Sequence, residues 1–154
     1  MTVHKGKRPE RVYEIGLEKL VFKLTAADTN GQYSQIERTV APLFKSPPHF
    51  HAQKDTDWSC YLIEGELEFY FEDETVKLKP RETVYVPRNT FFRWANPLNS
   101  PALILITYTP GGFEEFYPEI AEIKTSSTGR IDNYEETLQA IHKIQDKYGM
   151  YRKE

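Results

Sequence analysis

His49 and His51 stand two residues apart in the segment Pro47 to Gly65, which reads PPHFHAQKDTDWSCYLIEG. On a β-strand, residues i and i+2 face the same side. Two imidazoles on one strand can converge on a metal ion, or work as an acid and a base, because imidazole titrates near neutrality. Alone, His-x-His also fits two unrelated histidines. Its setting makes it more specific, with Pro47 and Pro48 leading in and a hairpin signal at Glu64-Gly65 behind it. Asp55 and Asp57 lie between. Either carboxylate can orient an imidazole, or complete a two-histidine, one-carboxylate set suited to iron.

These residues need elements to hold them. Leu20, Phe22 and Leu24 alternate with Val21 and Lys23, and Leu67, Phe69 and Phe71 alternate with Glu66, Glu68 and Tyr70. That period of two marks half-buried strands. Further strand-like runs cover 32–40, 58–63, 76–78, 83–86, 91–96 and 102–109, with Asn30-Gly31 as a hairpin turn and Pro80, Pro87, Pro97 and Pro110 between strands. Many short strands with such punctuation predict a sandwich or barrel. The tail changes period. Asp132 and Glu135 form a helix-capping signal. Tyr134, Leu138, Ile141, Ile144 and Tyr148 follow at helical spacing, and Gly149 stops the helix. A shorter helix is predicted over 113–123. We expect an N-terminal extension over 1–16, a barrel over 17–112, and a helical segment over 113–154 packing on it.

Composition bounds the rest. A chain of 154 residues suits one domain. Its aromatic content of 14% argues against disorder. A net charge of −3 argues against a general nucleic-acid footprint. The cluster Lys5, Lys7, Arg8 and Arg11 reads as a solvated arm. One cysteine, Cys60, excludes an internal disulfide and a cysteine-only metal cluster. The longest apolar stretch, Ala102 to Ile106, is too short to span a bilayer. The N-terminus lacks the apolar core of a signal peptide. These features predict a cytoplasmic protein without membrane or nucleic-acid partners. There is no nucleophile elbow, Walker loop or dinucleotide fingerprint.

On the His-x-His segment and the strands that follow it, residues 17–118 resemble the cupin superfamily. TNGQYSQIERTV before the segment, PGGFEEF after the last strand and Lys147-Tyr148-Gly149 near the end strengthen the match to small single-domain cupins of the quercetin dioxygenase-like kind. The resemblance implies an all-β, double-stranded β-helix (jelly-roll) barrel with a C-terminal helical tail. Metal-binding cupins use three His and often one Glu. Their first motif retains His49 and His51 here, but its Glu position falls on Trp58. Asp57 reaches that position only if the strand carries one extra residue. The second motif maps onto Arg81, Pro87, Asn89, Phe92 and Asn96, so its histidine is Phe92.

Trp94 shares the face of Phe92, two residues on. If that face lines the barrel, Trp58, Phe92 and Trp94 wall an aromatic pocket containing two histidines, with Asp55 and Cys60 as further wall candidates. Cys60 shares the parity of Trp58 and reads as a small buried apolar residue rather than a nucleophile. The same rings can also simply fill a small barrel. Tyr33, Gln35 and Glu37 occupy one face of the preceding strand, and Ile36 and Val40 the other. Arg93 faces away from Phe92.

Three functions follow. The first is a metal-independent isomerase, cyclase or lyase. It binds an apolar or aromatic metabolite against Trp58, Phe92 and Trp94, and transfers a proton through His49 or His51, oriented by Asp55 or Asp57. The second is a dioxygenase resembling quercetin dioxygenase, with iron, nickel or manganese on His49, His51 and Asp57. The third is a non-catalytic small-molecule-binding module. The expected partner is a small ligand, and the resemblance implies a homodimer, with the N-terminal residues adding a strand to a neighbour's sheet.

Overall fold

Strand alternation decides which side chains enter the core. In β3 (Ser34–Val40) the buried residues are Ser34, Ile36, Arg38 and Val40. In β5 (Asp57–Glu64) they are Trp58, Cys60 and Leu62, and in β10 (Ala102–Thr109) Ala102, Ile104, Ile106 and Tyr108. β10 lies between β3 and β5, pairing antiparallel with both, so three inward stripes meet in one interior. The structure, a computed structural model, describes residues 3, 5–6, 8–47, 50–126 and 134–153. His49 and the capping residue Asp132 lie outside the described residues.

Two antiparallel sheets form the jelly roll expected from the sequence. The first joins β1 (Arg11–Ile15), β2 (Glu18–Leu24), β3, β10, β5 and β8 (Thr83–Val86) in that order. The second joins β11 (Met150–Arg152), β4 (His51–Gln53), β9 (Phe92–Ala95), β6 (Leu67–Phe71) and β7 (Thr75–Leu78). Turn chemistry follows the sequence. Asn30 and Gly31 take φ of 54° and 79° between β2 and β3. Gly65, at φ 96°, turns β5 into β6 so tightly that a Cβ there would sit 2.9 Å from Ala102 Cα.

After β10, a 3₁₀ turn (Phe113–Glu115) leads into α1 (Phe116–Ser126), and α2 (Tyr134–Lys147) follows. The buried Glu114 carboxylate fixes this start. It accepts hydrogen bonds from the backbone N–H of Ala26 and of Gly112, both at 2.6 Å. Lys147 of α2 clips α1 through Glu119 at 2.8 Å.

The ends of the chain depart from the expected boundaries. Residues 11–15, placed in an extension, form β1 and pair with β2 of the same chain, where Tyr13 and Ile15 pack on the core. Residues 150–152, placed in a helical tail, form β11. Gly149, at φ 73°, ends α2 and turns the chain back, and Lys54 N–H donates to its carbonyl at 2.8 Å. Three residues are too few for a readable period, so β11 carries no sequence signal.

Candidate active site

β4 carries His51 between two neighbours, with Phe92 of β9 opposite on one side and Arg152 of β11 on the other. From this wall a cavity of about 490 Å³ extends between the sheets and under the helices. Its aromatic side is Trp58, Phe92 and Trp94, all nearly buried. Trp58 stacks on Phe92 with centroids 5.2 Å apart and an interplanar angle of 23°, and Trp94 lies 5.8 Å from Trp58. Phe69 backs Trp94 at 6.0 Å, nearly parallel. Deeper in the barrel, Cys60, Leu62, Ile104 and Ile106 are fully buried. The interior is thus filled at depth and open on the His51 side. Apolar cavities with a few placed polar groups are the usual form of a small-molecule site.

Polar side chains adjoin the aromatic ones. Arg38, 8% exposed, lines the cavity from β3. Its Nε and Nη2 both donate to Glu18 Oε2, at 2.9 and 2.5 Å. Its guanidinium carbon lies 5.0 Å from the Trp94 ring, 5.2 Å from Phe44 and 5.8 Å from Tyr117. Burial works against this charge, but Tyr117, Glu18 and Tyr108 outweigh it and hold its pKa above the ordinary arginine value. Beside it, the Tyr108 and Tyr117 hydroxyls share a hydrogen bond of 2.5 Å. Burial, and then Tyr117, push the Tyr108 pKa far up, with Arg38 opposing. Tyr108 is therefore a neutral hydrogen-bonding group and not a base near neutral pH. Trp58 Nε1 and Gln53 Oε1 are buried with no hydrogen-bond partner among the described residues.

The structure brings together His51, Trp58, Phe92 and Trp94 of the residues expected from sequence. It places Asp57, Asp55 and Cys60 elsewhere, a correction to the expected wall. Asp57 precedes the inward Trp58 on β5 and so lies on the outer face, where both its oxygens bond Arg88, at 2.8, 3.0 and 3.1 Å. The extra residue that would bring it inward is absent at that end. The irregularity in the β5–β10 pairing falls at Ile63, near the other end of the strand. Asp55 sits in an exposed turn against Gly149. Cys60 is sealed in the filled part of the barrel, where burial pushes its thiol pKa up to about 12. Arg93 lies on the opposite face from Phe92, against Phe50 and Tyr70.

A metal centre was the other chemistry expected of this wall. Phe92 offers no donor, the Asp57 carboxylate is held by Arg88, and no three His, Cys, Asp or Glu side chains gather among the described residues. A catalytic metal normally needs at least three protein ligands; of the expected ligands, His51 alone stands on this wall among the described residues.

Arg38, Glu18, Tyr108 and Tyr117 were missed from sequence. Arg38 shares the parity of Ile36 and Val40, and Tyr108 that of Ile104 and Ile106. A charge or phenol on a buried stripe was the available signal.

Residues 37–108 match the family model described as a cupin domain. With the two-sheet jelly roll, this match gives the chain a cupin-type fold. Solved structures share the architecture. An RmlC-like cupin from Shewanella frigidimarina aligns with a TM-score of 0.57 at 14% identity, over 74% of this chain and 96% of that one. Pac13 from Streptomyces, described as a nucleoside dehydratase and solved with uridine, aligns at 0.56 and 16% identity, over 75% and 88%. The polyketide cyclase RemF from Streptomyces resistomycificus aligns at 0.55 and 17%, over 71% and 80%. At these identities the likeness is one of fold. No curated protein matches the chain. Among the described residues, no helix is long and apolar enough to cross a membrane.

Proposed function

We propose that this cupin is a small-molecule enzyme that moves protons within its substrate without a bound metal, catalysing an isomerisation, cyclisation or elimination on an apolar or aromatic metabolite. One observation carries the reading: the cavity has an aromatic wall of Trp58, Phe92 and Trp94 with His51 beside it, and hydrogen-bonding side chains adjoining it. A flat ring gains contact with the aromatic wall. His51 then gives or takes a proton at the ring, a contribution of about 10²–10⁴-fold. Replacement of the motif histidine by Phe92, and the engagement of Asp57 by Arg88, support the metal-free form. Two fold neighbours named a dehydratase and a cyclase are consistent with this class of chemistry.

The test is turnover of a panel of cyclic ketones, phenols and nucleosides in the presence of EDTA, followed by mass spectrometry, with metal per chain measured in parallel. Turnover that survives EDTA and falls about 10²–10⁴-fold in His51→Ala is the expected result. One equivalent of a transition metal with EDTA-sensitive turnover overturns the metal-free reading in favour of a dioxygenase. Unchanged turnover in His51→Ala removes His51 from the mechanism. Tight binding of a panel compound without turnover makes the chain a binding module.

A further inference from the structure

Arg38 is a costly residue for this position. It lies between Ile36 and Val40 on an inward stripe, where an apolar side chain would pack without removing a charge from water. Glu18 compensates the charge but occupies only part of the donor set, since Nε and Nη2 both bond the same oxygen. No described residue bonds the remaining nitrogen, Nη1. The Arg38 side chain keeps 10% of its surface exposed and lines the cavity. The three surrounding rings hold the guanidinium plane in place, so Nη1 is a preoriented donor in a side chain that lines the cavity. The tyrosine pair adds another. Two phenols sharing one hydrogen bond use one hydroxyl proton between them. With the more deeply buried Tyr108 as donor, the Tyr117 proton is left for a third oxygen.

We infer that Arg38 Nη1 and the Tyr117 hydroxyl form an oxygen-binding subsite on the cavity wall, which takes a carbonyl or phenol oxygen of a neutral ring-shaped substrate and stabilises the negative charge it gains. This rests on the ring-pocket reading above and names the substrate class for it. Charge selects the class. Glu18 already takes up Nε and Nη2 of Arg38, so a carboxylate or phosphate would bring a permanent charge spread over more oxygens than the two remaining donors can satisfy. A neutral ketone, lactam or phenol brings none until a proton leaves. When His51 removes a proton from such a ring, the developing charge collects on that oxygen. Fixed donors aimed at developing charge are a large source of rate.

The probes are 4-nitrophenol and nitrobenzene, the same ring with and without the hydroxyl. Both tryptophans of the chain, Trp58 and Trp94, line the cavity, so quenching of their emission reports either probe. Both probes are expected to quench, and the bound phenol to have an acid dissociation constant about tenfold larger than free 4-nitrophenol, read from phenolate absorbance. In Glu18→Gln/Arg38→Gln, which leaves no buried charge unpaired, quenching by nitrobenzene persists and the tenfold effect disappears. In Tyr117→Phe, which keeps the ion pair intact, it shrinks. If both probes quench but the dissociation constant is unchanged, or is indifferent to both variants, the subsite is overturned and the ring pocket stands. If neither probe quenches, the ring pocket falls and the subsite with it.

Discussion

Phe92 faces His51 across the antiparallel ladder of β4 and β9, with their ring centroids 6.3 Å apart. Directly opposed residues have Cβ atoms about 4.5–5.5 Å apart. Two imidazoles placed there can share one ion. By the sequence resemblance, position 92 is where a metal-binding cupin keeps its third histidine. Phe92→His therefore supplies an imidazole opposite His51. After exposure to Ni(II) and dialysis, the variant is expected to hold close to one equivalent per chain, and the parent far less. Adding His51→Ala should remove the gain. A folded Phe92→His protein with no more nickel than the parent would show that something other than position 92 keeps metal out.

The Glu18–Arg38 pair makes a stability prediction with a built-in control. Both side chains are about nine-tenths buried. Removing one partner leaves a largely buried charge without compensation, at a cost of up to about 3–5 kcal/mol. Removing both, as in Glu18→Leu/Arg38→Met, is expected to cost much less, because replacement by apolar groups of similar volume relieves desolvation. Urea unfolding of Glu18→Ala, Arg38→Met and the double variant measures this. Equal losses in the single and double variants would mean that packing, and not the buried charge, sets the cost.

The same pair shows what a sequence can and cannot reveal. Alternation put Phe92 and Trp94 on one face, which the resemblance made a candidate pocket wall with Trp58, because side-chain period in a strand is rigid. It also contained the signal that Arg38 points inward. Its partner lies 20 residues earlier, on the neighbouring strand β2. Only the β2–β3 register brings Glu18 within reach, and no spacing rule encodes that register. Asp57 fails for a different reason. Its side depended on whether β5 was irregular beside Trp58, and the irregularity lies at Ile63 instead. The edge strand β1 was unread because its outward Val12 is as apolar as its inward Ile15, so polarity does not follow the alternation of burial.

Asp57 on the outer face carries a pH signature. The Arg88 side chain, and then its backbone N–H, hold the Asp57 carboxyl below the ordinary aspartate range, with desolvation opposing. The folded chain thus favours the charged form. The stabilisation is full above the ordinary value of about 3.9 and is lost as pH falls through the lower folded value. Both partners are partly solvated, so the effect at neutral pH is at most about 1 kcal/mol. Asp57→Asn should be slightly less stable than the parent at neutral pH, and the gap should close below about pH 4. Its quenching by nitrobenzene should match the parent, because the residue does not line the cavity. A gap that widens on acidification contradicts the sign, and altered quenching returns Asp57 to the site.

Cys60 decides whether the barrel is filled at depth. It has no measurable exposure, and burial raises its thiol to about 12 despite the opposing pull of Arg38. At pH 8 the thiolate fraction is then about 10⁻⁴, and a bulky reagent has no path to it. An aromatic disulfide reagent should leave the native protein unmodified over hours. In guanidinium chloride it should titrate one thiol per chain, the single cysteine of the sequence. Reaction in the native state can arise only from opening of the barrel or from a cavity that extends past Trp58. Stabilisation by added sucrose separates the two, since it slows modification that requires unfolding and leaves modification through a preformed channel unchanged. Rapid, sucrose-independent labelling would place Cys60 on the cavity wall after all, and would lengthen the substrate that the site can accept.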